Sequence, residues 1–183
     1  MNAWNNFGKP IVVLGVICLV ASLLLAMTNN VTDPIITENA IRTANATRQA
    51  LLPEADSFSE VTLPEGAGGG NVTEAYAADN GAGYVITAQA KGYGGQVPVM
   101  VAFGADGAIA SVRFLDNSET PGLGQKVKDD AFQGQFSGMA AEAFTLDDID
   151  AVTGATISSR AATTAINAAI EVYQSLQFDG KGA

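Results

Sequence analysis

The sequence predicts an α+β domain carried behind a single N-terminal membrane-spanning helix. Residues 10–32 hold no charged side chain, three short segments in the second half alternate as strands do, and the chain closes on an amphipathic Ala-rich helix. Strands followed by a helix that covers one sheet face make an α+β layer.

The N-terminal run comes first. Its core, residues 11–27 (IVVLGVICLVASLLLAM), is almost wholly apolar, and the uncharged run extends roughly 34 Å at ~1.5 Å per residue, enough to cross a bilayer. No small-x-small cleavage site follows it, and Gly15-Val16-Ile17 before Cys18 lack the small pair of a lipoprotein signal, so the run reads as a retained anchor. Lys9 precedes it and the first charges after it are Asp33 and Glu38. The positive-inside rule then puts the N-terminus in the cytoplasm and the C-terminal domain outside the cell (inner) membrane.

Beyond the anchor, Thr32-Asp33-Pro34 has the form of a helix start, a capping side chain followed by proline at the first helical position. Ile35, Ile36, Ala40, Ile41, Ala44, Arg48, Leu51 and Leu52 continue a loose helical stripe that stops at Pro53. The glycine-rich stretch after Pro64 (GAGGG) reads as a flexible loop. Strands are expected at 83–90 (GYVITAQA), 97–103 (VPVMVAF) and 109–115 (IASVRFL), the last two joined by a hairpin turn at 104–108. In the last helix, 158–176, Ala162, Ile166, Ala169, Ile170 and Tyr173 recur at helical spacing. The expected division is 1–32 cytoplasmic N-terminus and anchor, 33–63 juxtamembrane helix, 64–75 linker and 76–183 binding domain.

Composition narrows the chemistry. The chain has no histidine and one cysteine, Cys18, inside the apolar run, so the usual ligands for zinc, copper, haem or iron–sulfur groups are missing and no metal site is expected. The same absence removes the base of a Ser-His-Asp or Cys-His system, and no catalytic residue is assigned. All 19 acidic residues follow the anchor and the net charge is −10. A nucleic acid partner is therefore not expected. The acidity suits an exported protein beside anionic lipids, and serves equally to keep the domain soluble.

One segment stands out: Asp150-Ala151-Val152-Thr153-Gly154-Ala155-Thr156-Ile157-Ser158-Ser159. Thr156 supplies a hydroxyl, Gly154 and Ala155 leave room for a bulky group, and the segment leads into the last helix. A phosphate esterified to Thr156 would sit at that helix's amino terminus, where free N–H groups and the dipole favour an anion, with Arg160 as a possible added cation. With the usual metal ligands missing, any redox cofactor must be organic, and the segment reads as a site where a flavin is attached. Its ester removes one charge near an acidic domain and prevents loss of the group outside the cell. Gly-Ala-Thr alone is equally a plain helix-capping turn, but the whole pattern is expected by chance on the order of once in ten thousand chains this size.

On Asp150, Thr153-Gly154-Ala155-Thr156 and Ser158-Ser159, with Glu119-Thr120-Pro121-Gly122-Leu123-Gly124 and Gly92-Tyr93-Gly94-Gly95, the chain resembles the FMN-binding subunits of membrane redox pumps. The resemblance covers the anchor and residues 76–176. It is greatest to the G subunits of Rnf complexes, which couple ferredoxin:NAD electron transfer to Na+ or H+ export. The C subunit of the sodium-pumping NADH:quinone reductase is the alternative.

The resemblance implies FMN joined through its phosphate to Thr156 by a flavin transferase with FAD as donor. Thr153, Gly154, Ala155, Ser158, Ser159, Glu119, Thr120, Gly122, Leu123 and Gly124 would surround it. The implied partners are a second flavin-bearing membrane subunit and iron–sulfur subunits of one complex, with no catalysis by this subunit alone. Members often carry a histidine where this chain has Asn117, so no proton-handling role is expected there.

Physically, Pro121-Gly122 is a tight turn with positive φ at the glycine, able to turn backbone donors toward a ligand as the second wall of the site, or simply a surface turn. Tyr93 could stack or merely pack, and Lys126 and Lys128 read as solvated charges. A membrane-anchored flavin reductase, or a protein with only a structural or binding role, are the readings from other classes.

Overall fold

The computed structural model describes residues 9–63 and 67–180; the first part of the expected linker and the extreme N- and C-termini lie outside the described residues. The chain divides into two compact units, Met1–Asn45 and Ala46–Ala183.

In the first unit a single helix, α1 (Lys9–Leu51), begins and continues into the second. Its Ile11–Asn29 stretch has a mean hydropathy of 2.8 and none of it is buried. An exposed apolar cylinder of this length is stable only where lipid replaces water. The helix does not restart at Thr32-Asp33-Pro34 but runs through it. Pro34 removes one backbone donor, whereas a break would forfeit the bonds of the turns on both sides. Glu38 and Arg42, one turn apart, pair at 2.8 Å beyond the proline.

The second unit is a five-stranded antiparallel meander, β1 (Phe58–Glu60), β2 (Val72–Ala78), β3 (Gly83–Lys91), β4 (Gln96–Gly104) and β5 (Ile109–Phe114), in sequential order. A short α2 (Asp130–Gly134) and the long α3 (Thr156–Gly180) complete it. The three expected strands are β3, β4 and β5, and the expected turn closes with Gly107 N–H donating to Gly104 C=O.

β1 lies in the 33–63 segment expected as a juxtamembrane helix, beyond the Pro53 at which its stripe stops, and β2 starts in the expected linker and runs into the binding domain. In β2 only Ala75 is fully buried in the core, with Val72 packed partly against it across a register shift that breaks the period-2 pattern, and alanine has little strand preference. The glycine segment is a packed turn: a Cβ on Gly68 would lie 2.6 Å from Val72 Cγ2 and 3.3 Å from the Ala168 carbonyl on α3.

The β3–β4 register fixes the core. Ile86 pairs with Val101, Ala88 with Val99 and Ala90 with Val97, all facing one side. α3 covers this side through Ala161, Ala162, Ala165, Ile166, Ala169 and Ile170. Alanines let the helix axis approach the sheet closely, and the two isoleucines fill what remains. Tyr173 stacks on Phe103 at 4.4 Å; burial, then Asp106 and Tyr84, push its hydroxyl pKa up. Phe114, Phe132, Phe136 and Phe144 seal the end of the core near α2, with Phe136 fully buried at their centre.

The opposite side of the sheet meets the last turn of α1. Arg48 is buried, donates to Glu74 Oε2 at 2.7 Å and lies 3.6 Å over the Tyr76 ring. Leu51 C=O accepts from Ser111 Oγ. The stripe residues Arg48, Leu51 and Leu52 are therefore core residues of the second unit.

Removing the central aromatic, Phe136→Ala, is expected to lower unfolding stability by about 3–5 kcal/mol, read as the urea midpoint of the full chain in detergent. A pH effect is expected at the β1 edge. Ser57 and Ser59 hydroxyls donate to the Asp79 carboxylate and hold its pKa below the ordinary value. The depressed folded pKa means this stabilisation is present above the unfolded value of about 3.9 and lost as pH falls through the folded one. Asp79→Asn is expected to flatten that acid limb, leaving neighbouring carboxylates unaffected.

Candidate functional site

Three loop segments meet at one end of the sheet around a cleft of about 570 Å³, lined by Tyr93, Glu119, Thr120, Leu123, Gly124 and the run Gly154, Ala155, Thr156, Ile157 and Ser158. The first is the β3–β4 turn, closed by Gly92 N–H donating to Gly95 C=O. The second follows β5, and the third opens α3.

In the second segment Leu123 and Gln125 N–H both donate to Thr120 C=O, and Gly122 has φ +75°, the expected turn. Asn117 orients the approach, its Oδ1 accepting from Glu119 N–H and its Nδ2 donating to Leu115 C=O. An amide serves there because both of its ends are used within the loop.

The third segment enters α3 through a turn at Gly154 (φ +80°), with Ala155 N–H donating to Val152 C=O. Thr156 is the first residue of the helix and exposed on the cleft. The first-turn N–H groups of a helix have no intrahelical acceptor and carry the positive end of its dipole. Thr156 thus offers a hydroxyl where an attached anion is favoured.

Glu119 ties the segments together. It is only 2% exposed. Its Oε1 accepts from Gly94 N–H at 2.8 Å on the first segment, and its Oε2 accepts from Ser158 Oγ on the third. Glycines make the room: a Cβ on Gly92 would lie 2.5 Å from Oε1, and one on Gly124 would overlap Oε2 and lie 2.6 Å from Ser158 Oγ. One on Gly94 would overlap the Ser118 carbonyl oxygen. The weak Gly92-Tyr93-Gly94-Gly95 motif thereby acquires a steric reason.

Of the expected site residues, Glu119, Thr120, Leu123, Gly124, Gly154, Ala155, Thr156 and Ser158 come together on the cleft. Gly122 and Thr153 are exposed outside its lining, and Ser159 is turned into the interior, where its Oγ accepts from Val152 N–H and steadies the turn. Asp150 is exposed, its backbone N–H and C=O both engaged by the Gln135 amide. Arg160 is exposed, and neither it nor Lys126 lines the cleft. Lys128 pairs with Asp116 at 2.6 Å, and that contact lowers the Asp116 pKa.

Tyr93, Leu123 and Ile157, respectively 75%, 46% and 54% exposed, form an apolar rim. Ile157 was not among the expected residues. Its only signal in the sequence is an isoleucine lying off the buried stripe of α3, an unusual position for a large apolar side chain with no ligand or partner.

Residues 92–171, which contain all three segments, match the FMN-binding domain family. The chain is 34% identical to the G subunit of the Na+-translocating ferredoxin:NAD+ oxidoreductase complex of Acetobacterium woodii, over 94% of each chain. It is 32% identical to the G subunit of the proton-translocating ferredoxin:NAD+ oxidoreductase complex of Clostridium ljungdahlii, over 86% of each. The crystal structure of Shewanella oneidensis NqrC shares the fold, with a TM-score of 0.53 over 70% of this chain and 72% of that one at 22% identity.

Two glycine substitutions separate close approach from loop composition. Gly124→Ala displaces the Glu119 carboxylate from its donors and is expected to cost about 1–3 kcal/mol, the penalty of buried polar groups left without partners. At Gly95 an added Cβ meets Ser118 at an ordinary 3.5 Å, so Gly95→Ala is expected to stay within about 0.5 kcal/mol of the parent. Urea midpoints of the two variants check the contrast.

Proposed function

The chain belongs to the G-subunit family of ion-translocating oxidoreductase complexes, and on that premise we propose that it is an anchored electron relay carrying FMN esterified to Thr156. The single observation that carries this reading is the Thr156 hydroxyl, exposed at the amino terminus of a long helix and on the wall of a cleft that joins all three motif segments.

The residues present fit that group. A volume of about 570 Å³ lies within the ~300–1,000 Å³ of small-ligand sites. Thr156 and the first turn of α3 suit a phosphate, while Tyr93, Leu123 and Ile157 offer apolar surface to a ring system. FMN, when bound, supplies reversible electron acceptance and donation, a chemistry that no side chain of the cleft possesses.

The protein's own contributions are binding, orientation and placement. Thr156 Oγ would be the atom esterified: a flavin transferase with FAD as donor would break the pyrophosphate bond, with AMP as leaving group and the hydroxyl proton released. The first-turn N–H groups of α3 would hold the phosphate and offset part of its remaining charge. Glu119 holds the Gly94 loop and the α3 entry in a fixed relation. No side chain here is assigned to proton transfer, and the subunit has no reaction of its own. Its neighbours in the complex, a second flavin-bearing membrane subunit and iron–sulfur subunits, supply and take the electrons that drive Na+ or H+ transport.

The anchor keeps the relay at the membrane. Lys9 on the cytoplasmic side of the Ile11–Asn29 stretch gives an extracytoplasmic binding domain. A covalent bond suits that location, because a group lost there is not regained. The likeness to NqrC is one of fold, whereas identity along nearly the whole chain favours the ferredoxin:NAD+ assembly over the quinone reductase.

Mass spectrometry of protein from native membranes is expected to show the FMN adduct on the peptide containing Thr156. Thr156→Ala is expected to give a colourless chain without a fluorescent band on a denaturing gel. An unmodified Thr156 peptide from a host that has the transferase would overturn the proposal.

A further inference from the structure

Glu119 is a carboxylate removed from water with no cation beside it. Among the described residues no lysine or arginine lies within ion-pair distance of it, and its two oxygens are met by the Gly94 N–H and the Ser158 hydroxyl. Dipoles neutralise a charge only in part, and a buried charge is screened little by salt. The side chain also forms part of the cleft wall, beside Gly124, Leu123, Tyr93 and Ile157, none of which carries a charge. Its field therefore extends into the cleft.

Holding three segments together does not require a charge. A neutral amide of the same shape could accept from Gly94 N–H with its oxygen and donate to Ser158 Oγ with its nitrogen. The two hydrogen bonds alone therefore do not require a glutamate in this place.

We infer that Glu119 sets the reduction potential of the group in this cleft, its fixed negative charge making electron acceptance less favourable, with Ser158 moderating that charge. The inference rests on the FMN reading above. Each electron added without a proton places one unit of negative charge in the cleft, and Coulomb repulsion from a buried carboxylate opposes it. Glu119 is thus a positioning and electrostatic residue and carries no electron itself. The lower potential matches a relay that must pass electrons onward and not retain them.

The test compares midpoint potentials of the flavinylated full chain in detergent by spectroelectrochemistry, with flavin content quantified in each sample. Glu119→Gln keeps shape and hydrogen-bonding capacity while removing the charge, and is expected to raise the potential by at least a tenfold change in the one-electron equilibrium constant, ~59 mV. Ser158→Ala removes a donor and leaves the charge, and is expected to lower it. Opposite signs at two touching residues are not produced by simple loosening of the cleft, which would move both alike.

An unmoved or lowered potential in flavin-bearing Glu119→Gln overturns the inference. Should that variant not acquire flavin, Ser158→Ala decides: a lowered potential supports the inference, and an unchanged or raised one overturns it. A parent chain with no flavin on its Thr156 peptide overturns the attachment and this inference together, whereas a flavinylated parent with unresponsive variants overturns this inference alone.

Discussion

The cleft exists because one carboxylate is buried between a backbone amide and a hydroxyl from distant parts of the chain. Glu119 reaches Gly94, 25 positions earlier, and Ser158, 39 positions later. A buried carboxylate tolerates little loss of its donors, so the three segments are held in a single arrangement. The lining of the cleft, including the position of Thr156 relative to Leu123 and Tyr93, follows from that arrangement.

Small residues make this closeness possible at two scales. Gly92, Gly94 and Gly124 surround the carboxylate at distances that leave no room for a Cβ. Farther along α3, alanines on the sheet-facing side bring the helix against β3 and β4. The composition rich in Gly and Ala, which in the sequence resembles low information, is a record of close backbone approaches. Buried aromatic bulk gathers at the four phenylalanines near α2 and the Phe103–Tyr173 stack.

The second unit also recruits the end of α1. Arg48 serves as a cation to Glu74 and as a flat surface to Tyr76, a double use suited to the planar guanidinium. The last turn of a helix that begins with a lipid-length apolar run is thus part of a water-soluble core.

Legibility divided along physical lines. The lipid-length apolar run, β3 to β5, the turn after β4 and the body of α3 were readable, because hydropathy, periodicity and turn chemistry are properties of neighbours in the chain. The proline at 34 misled, since its local meaning as a helix start was outweighed by helix propagation on both sides. β1 and β2 were hidden because their buried side chains are mainly small, Ala75 and Ala78, with the alternation broken by a register shift after Val72, and strand pairing is decided by a partner elsewhere. The roles within the motif were likewise beyond local reading: Ser158 and Ser159 are adjacent and chemically alike, yet one faces Glu119 and the other caps an interior turn. By itself the sequence determined the apolar run, three of the five strands and the body of α3; only the tertiary structure decided that Glu119 is buried between Gly94 and Ser158 with no cation within ion-pair distance among the described residues, because burial and hydrogen-bond partnership depend on which distant segments meet.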